Sequence, residues 1–163
     1  MAVIAQTVMS VQIAATTTGG TAPGGATAPT GCTLSSPTEI GAWVTATVNG
    51  VDIATLDVTT FGSGGFVAFV AGLKSAKVQL TILQDYAASA PDALLGLNGS
   101  VIAVGAAGFL ELKPTTAARS ATNPAFICKI INKLWMPFNA SVRQVPTIAW
   151  DVQVTGGFAA LVA

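Results

Sequence analysis

The chain has 163 residues, 52% of them apolar and only 9% charged, and its seven basic and seven acidic side chains leave no net charge. That length makes one domain with a core of useful size, yet so few charges would have to cover about 7,500 Å² of surface if the fold stood alone. Neutrality excludes a global field that would hold nucleic acid tightly, and the lack of any long polar-free window excludes a spanning helix.

A membrane β-barrel would need more alternating segments than this length allows. The expectation is therefore a self-assembling protein whose apolar surface is covered by other subunits. Residues 1–15 are apolar but have no basic leader, and Gln6, Thr7, Ser10 and Gln12 interrupt them, so no signal peptide is expected. The charges are uneven. Residues 1–60 hold Glu39, Asp52 and Asp57 and no base, and every Lys and Arg lies after residue 73, which suits subunits that meet head to tail.

In chain order, residues 3–14 are strand-compatible, with Met9, Val11 and Ile13 alternating with Ser10 and Gln12. Residues 16–31 are a Gly/Thr/Ala/Pro-rich arm, expected to lie against a neighbouring subunit. The chain is thus divided into an N-terminal strand and arm, 1–40, and a β-sandwich domain, 41–163. Asn49-Gly50 between residues 43–48 and 51–58 predicts a two-residue hairpin turn with Val48 paired to Val51. Its polar face would carry Thr45, Thr47 and Asp52, with Trp43 and Leu56 at its base. A glycine-rich turn at 59–65 and an apolar run at 66–71 follow.

Val78, Leu80 and Ile82 alternate with Lys77, Gln79 and Thr81, a half-buried strand. Pro91 then opens a short helix, Asp92 sits in its first turn, and Gly96 is expected to stop it in the left-handed region. This is the one convincing helix, a brace rather than part of an active site. A strand is expected from 101–104, interrupted at 105–108 and resumed at 109–113, and 114–124 is a polar loop. In the last strands Phe126, Cys128 and Ile130 oppose Ile127, Lys129, Ile131 and Lys133, and Ile148, Trp150, Val152 and Val154 alternate with polar residues. The fold class is mainly β, a sandwich or barrel with one short flanking helix.

Catalytic chemistry is hard to assemble from this chain. It has no histidine, the commonest base and metal ligand. Gly62-Ser63-Gly64 lacks the spacing of a nucleophile elbow, and Val67 breaks the dinucleotide-binding glycine pattern. Asp52 with Asp57, and Asp85 with Asp92, read as turn, cap and surface residues. Asn98 and Asn139 match glycosylation sequons but are read as turns. Lys129 and Lys133 read as a strand edge rather than a phosphate site, and the three tryptophans as anchors. Cys32 and Cys128 read as reduced, buried thiols, with a single disulfide as the alternative. No catalytic, cofactor-binding or metal-ligating set is assigned, and the chain is not expected to be an enzyme.

Several segments stand in a familiar succession: 48–52, 57–62, 72–74, Gln84-Asp-Tyr-Ala-Ala-Ser89 with Asp92-Ala-Leu-Leu95, Lys113-Pro-Thr-Thr-Ala-Ala-Arg-Ser-Ala-Thr-Asn-Pro124, and Ala149-Trp150 leading to Thr155-Gly156. In these the chain resembles the major tail, or tail tube, proteins of long-tailed, non-contractile bacteriophages, over roughly residues 44–160. The 84–89 and 114–124 runs are the most specific. The chain departs from the pattern between Asp52 and Asp57, where it is shorter, at 105–108, which look inserted, and at Asp151, where a proline is expected; residues 1–40 match nothing.

The resemblance implies a structural virion protein assembled in the host cytoplasm. Hexameric rings would stack into a tube that encloses a tape-measure protein and later conducts double-stranded DNA, without membrane insertion. Thr45, Thr47 and Asp52 would then face the lumen. The alternatives are a capsid decoration protein and a monomeric β-sandwich binding module.

Overall fold

The structure is a computed structural model and describes residues 9–24, 30–59, 67, 69–136 and 145–162. The start of the first predicted strand, nearly all of the glycine-rich turn and Asn139 lie outside the described residues. In chain order the elements are β1 (Ser10–Ala14), β2 (Thr16–Thr18), β3 (Thr33–Ser35), β4 (Thr38–Glu39), a 3-10 turn (Gly41–Trp43), β5 (Val44–Asp57), β6 (Phe69–Leu83), α1 (Pro91–Leu95), β7 (Ala107–Lys113), β8 (Ala125–Asn132) and β9 (Thr147–Leu161). Seven strands form one antiparallel sheet in the order β4-β1-β7-β8-β9-β6-β5, and β2 pairs with β3 separately. The fold is mainly β and sandwich-like, with one short helix, as the alternation predicts.

Residues paired across antiparallel strands share a face, so the register shows where the core sits. Leu80 pairs with Trp150, Ile82 with Ile148, and Leu110 with both Ile13 and Cys128. All of these are buried, and Leu94, Leu95 and Ile102 close the main core over them. On the opposite face the β2–β3 sheet contributes Leu34, and Cys32 lies just before it. Both pack on Ala14, Ala125, Ile127 and Leu161 in a smaller second cluster. Cys32 and Cys128 are free and buried, and they belong to these two different clusters on opposite faces of the sheet.

The largest departure from expectation is at Asn49-Gly50. No turn forms there. Residues Val44–Asp57 are one continuous strand whose twelve register pairs with β6 include Val48 with Gln79, Asn49 with Val78 and Gly50 with Lys77. Gly50 is not among the glycines with positive φ, the region a type I′ turn requires. Pairing with β6 along its whole length gives β5 far more ladder bonds than a four-residue turn could. The chain reverses later, between Asp57 and Phe69, so Trp43 and Leu56 stand at opposite ends of a long hairpin rather than together at a base.

Other expectations shift for local reasons. Residues 101–104 are not a strand; they loop around the helix, where Ile102 is buried and Gly105 N–H donates to Asn132 O at 2.7 Å. Gly96 ends α1 with φ −65°, not in the left-handed region, and closes the turn through its N–H on Asp92 O. The described ends of the Gly/Thr/Ala/Pro-rich arm pack on their own chain through β2 and β3 and the Thr21–Thr30 bridge. β1 and β4, from the first 40 residues, lie within the main sheet. β8, which carries Lys129, is an inner strand, so Lys129 is not on an edge; its side chain lies against Gly24.

Indole donors fasten the helical brace. Trp43 Nε1 donates to Asp85 Oδ2 at 3.1 Å and Trp135 Nε1 to Asp92 Oδ1 at 2.6 Å. Trp150 Nε1 donates to Asn132 Oδ1 at 3.0 Å, and Asn132 Nδ2 in turn reaches Leu95 O and Ile102 O. Pro91 stands at the first helical position and Asp92 in the first turn, as expected. The two aspartates, however, are acceptors for indoles. The residue that caps the helix is Ala90, which makes no side-chain cap bond.

The 114–124 loop is held by groups the sequence analysis did not single out. Arg119 forms an ion pair with Glu111 at 2.7 Å and also donates to Cys32 O. The amide of Asn123 donates to Ala117 O and Ala118 O.

Candidate assembly surface

The β5–β6 hairpin outgrows the body. Near its root Thr47 and Leu80 pair beside the core, but toward the tip both strands run out with no further strand beside them among the described residues. Seven large apolar side chains, Val51, Ile53, Leu56, Val58, Val67, Phe69 and Val70, are exposed there, Phe69 to 62% and Leu56 to 58%. Leu56 pairs with Val70, and Phe69 with Asp57 one step along. The two faces of the ribbon therefore each present a bulky apolar group. A register shift between Ile53 and Thr55 falls just before this tip, and such irregularities re-aim side chains and bend the ribbon. Asp57 is the acid of the tip, and Thr59 hydrogen bonds hold its carboxyl below the usual carboxylate range.

The expected lumen residues are not brought together on one face. Thr47 turns to the core side, opposite Leu80, and its Oγ1 is buried without a hydrogen-bond partner. Asp52, five positions on in a continuous strand, points the other way, opposite Ser75. Thr45 lies at a register shift, and its hydroxyl donates to Thr81 O. The grouping depended on the Asn-Gly turn and dissolves with it.

What the register does collect is a polar half-face. Asp52, Lys77, Gln79, Thr81, Asp151 and Gln153 share the side of β5, β6 and β9 that lies away from the main core. The smaller β2–β3 sheet packs over β1, β7 and β8 instead. Lys133 lines the same surface beside Lys77, Asp151 and Gln153, so two acids, two bases and neutral amides leave it without net charge.

A groove of about 410 Å³ lies between α1 and the segment after β8, lined by Ala93, Leu97, Val104, Leu134 and Trp135 with Asp92, Asn98 and Lys133. Leu97 is 77% exposed and Leu134 is also exposed. The lining holds one carboxylate, Asp92, whose Oδ1 accepts the Trp135 indole N–H, and one cation, Lys133.

Among the described residues no three or more His, Cys, Asp or Glu side chains cluster as metal ligands, and no helix is long and apolar enough to cross a membrane. No protein-family model matches the chain, and no curated protein matches it.

Proposed function

We propose that this chain is a structural virion protein, a subunit of stacked hexameric rings that build the hollow tail tube of a long-tailed, non-contractile phage. In this reading the tube encloses a tape-measure protein and passes double-stranded DNA at ejection. The observation that carries the reading is the two-faced apolar hairpin. A two-stranded ribbon is marginally stable alone in water, and a long exposed edge strand such as β5 invites pairing with another chain. Burying the remaining half of each apolar side chain contributes about 1 kcal/mol, so the seven together favour association by several kcal/mol before its entropic cost.

The polar half-face supplies the second requirement. DNA must slide past the lumen without being held, and affinity for a phosphate backbone grows with each neutralising Lys or Arg. A surface on which Asp52 and Asp151 balance Lys77 and Lys133 offers no net attraction. We therefore place this half-face, with Asp52 but not Thr47, toward the channel.

The test is electron microscopy of the purified protein together with sedimentation over a wide concentration range. Six-fold rings or striated hollow tubes are expected. Particles that attach only to capsid shells would mean a decoration protein, and a monomer at every concentration would overturn self-assembly.

A further inference from the structure

We infer that residues 36–41 guard one edge of the main sheet: the Glu39 carboxylate takes the place of a strand carbonyl on Val11, and so stops the β5 edge of another copy from pairing there. This goes beyond the tail-tube reading and does not depend on it.

The two outer strands of the sheet are built oppositely. β5 runs for 14 residues, and among the described residues no strand pairs with its outer side. At the other end β4 has only two residues, which pair with Gln12 and Ile13 of β1 and leave Val11 past its end. Val11 O accepts the Ile40 N–H at 2.8 Å, while the Val11 N–H donates to Glu39 Oε1 at 2.7 Å. The same carboxylate accepts the Gly41 N–H at 2.9 Å and the Ser10 hydroxyl at 2.6 Å. A charged group turned back on the edge and held by three donors leaves an incoming strand nothing to bond at Val11.

The flanking residues serve the same end. Ser36 has φ 48°, in the left-handed region that few side chains adopt, and it turns the chain from β3 into β4. Pro37 follows and has no N–H to offer a neighbouring strand. Gly41 then crosses the edge so closely that a Cβ there would stand 2.6 Å from Met9 O and 2.7 Å from Glu39 Oε1. The strand to be kept out is β5 of a second copy, because every copy presents that open edge. Joining it to β1 of the next copy would be a head-to-tail contact that repeats without closing.

The experiment compares the full chain as wild type, Glu39→Gln, Glu39→Ala and the double variant Ser10→Ala/Glu39→Ala, which leaves no buried hydroxyl without its partner. Amide hydrogen exchange reads the edge at Val11 and the core at Ile130, and sedimentation with an amyloid-sensing dye reads association. In both alanine variants Val11 exchange should quicken more than about tenfold while Ile130 stays protected. Both should form dye-binding, open-ended assemblies at concentrations where the wild type forms none, and β5 amides should gain protection in them. Glu39→Gln, whose amide oxygen can still accept from Val11, should behave as the wild type. Unchanged Val11 exchange, an opened edge that gains no association, or assemblies that leave β5 unprotected would overturn the guard. So would loss of Ile130 protection in both alanine variants, which would make Glu39 a stability element. Whether the wild type builds rings and tubes is decided separately, by the microscopy above.

Discussion

Asn132→Leu probes the network that joins the sheet to its helical brace. Asn132 is fully buried on β8; its Nδ2 donates to Leu95 O at 2.7 Å and Ile102 O at 2.9 Å, and its Oδ1 accepts Trp150 Nε1 at 3.0 Å. Leucine copies its branched shape and satisfies none of the three partners. Each buried polar group that loses its partner costs about 1–3 kcal/mol, so a middle value for all three gives about 6 kcal/mol. The added apolar burial returns about 2 kcal/mol, leaving a net loss of about 4 kcal/mol. Such a loss is a large share of the 5–15 kcal/mol typical of a domain. Urea unfolding followed by tryptophan fluorescence, at concentrations below assembly, measures it directly. Trp150→Phe removes only the indole donor, and its effect should couple to Asn132→Leu by more than about 1 kcal/mol in a double-mutant cycle. An Asn132→Leu protein within about 1 kcal/mol of wild type, or strict additivity in the cycle, would refute the view that this network holds the brace.

Arg119→Met leaves Glu111, only 4% exposed, without its ion pair and frees Cys32 O, so thermal or urea unfolding should show a loss of about 3–5 kcal/mol. Adding Glu111→Leu should recover most of that loss, because the uncompensated charge is gone. The Asp85 carboxyl is held below its ordinary value of 3.8, first by the Ala87 N–H and then by the Trp43 indole. A pKa depressed by folding contributes stability above the unfolded value and loses it as pH falls through the folded one, so acid-unfolding curves of Asp85→Asn should be shallower below that value than those of wild type. Burial pushes the Cys128 thiol up to about 12 and raises Cys32 as well. Both should resist thiol-reactive reagents at mildly alkaline pH until the chain unfolds, with labelling at the unfolding rate; fast labelling of Cys128 in folded protein would contradict its place in the core.

The legible part of the fold is the part governed by strict alternation. Val78, Leu80 and Ile82, and Ile148, Trp150, Val152 and Val154, fall on the buried face that their period requires. Pro91 likewise marks the helix start, since its missing N–H and fixed φ suit only that position. Contacts far apart in sequence left weaker traces. Nothing in the local pattern says that Arg119 will reach Cys32 O across 87 positions, or that Asp85 and Asp92 will serve indoles from 42 and 43 positions away. Ile127 sits on the face that also carries Lys129 and is nonetheless buried, because the arm returns as β2–β3 to cover it. A low-complexity composition conceals that return. The register that gathers Gln79, Thr81, Asp151 and Gln153 on one half-face is equally a product of pairing between distant strands.

The Asn49-Gly50 misreading explains why the candidate site was only half visible. A two-residue turn is a local choice, and Asn-Gly is its strongest signal when the flanking segments have only each other to pair with. Here β6 offers a partner 15 residues long, already anchored on its other side by β9. Running β5 along it extends the sheet and pairs the edge of β6 that faces away from β9. The short hairpin would have left one edge of β6 unpaired beside the core, and a buried backbone group without a partner is costly. The long pairing transfers the difficulty outward, to a ribbon that carries Leu56, Phe69 and Val70 past the end of the body. A sequence with so few charges tolerates that exposure only if another surface covers it.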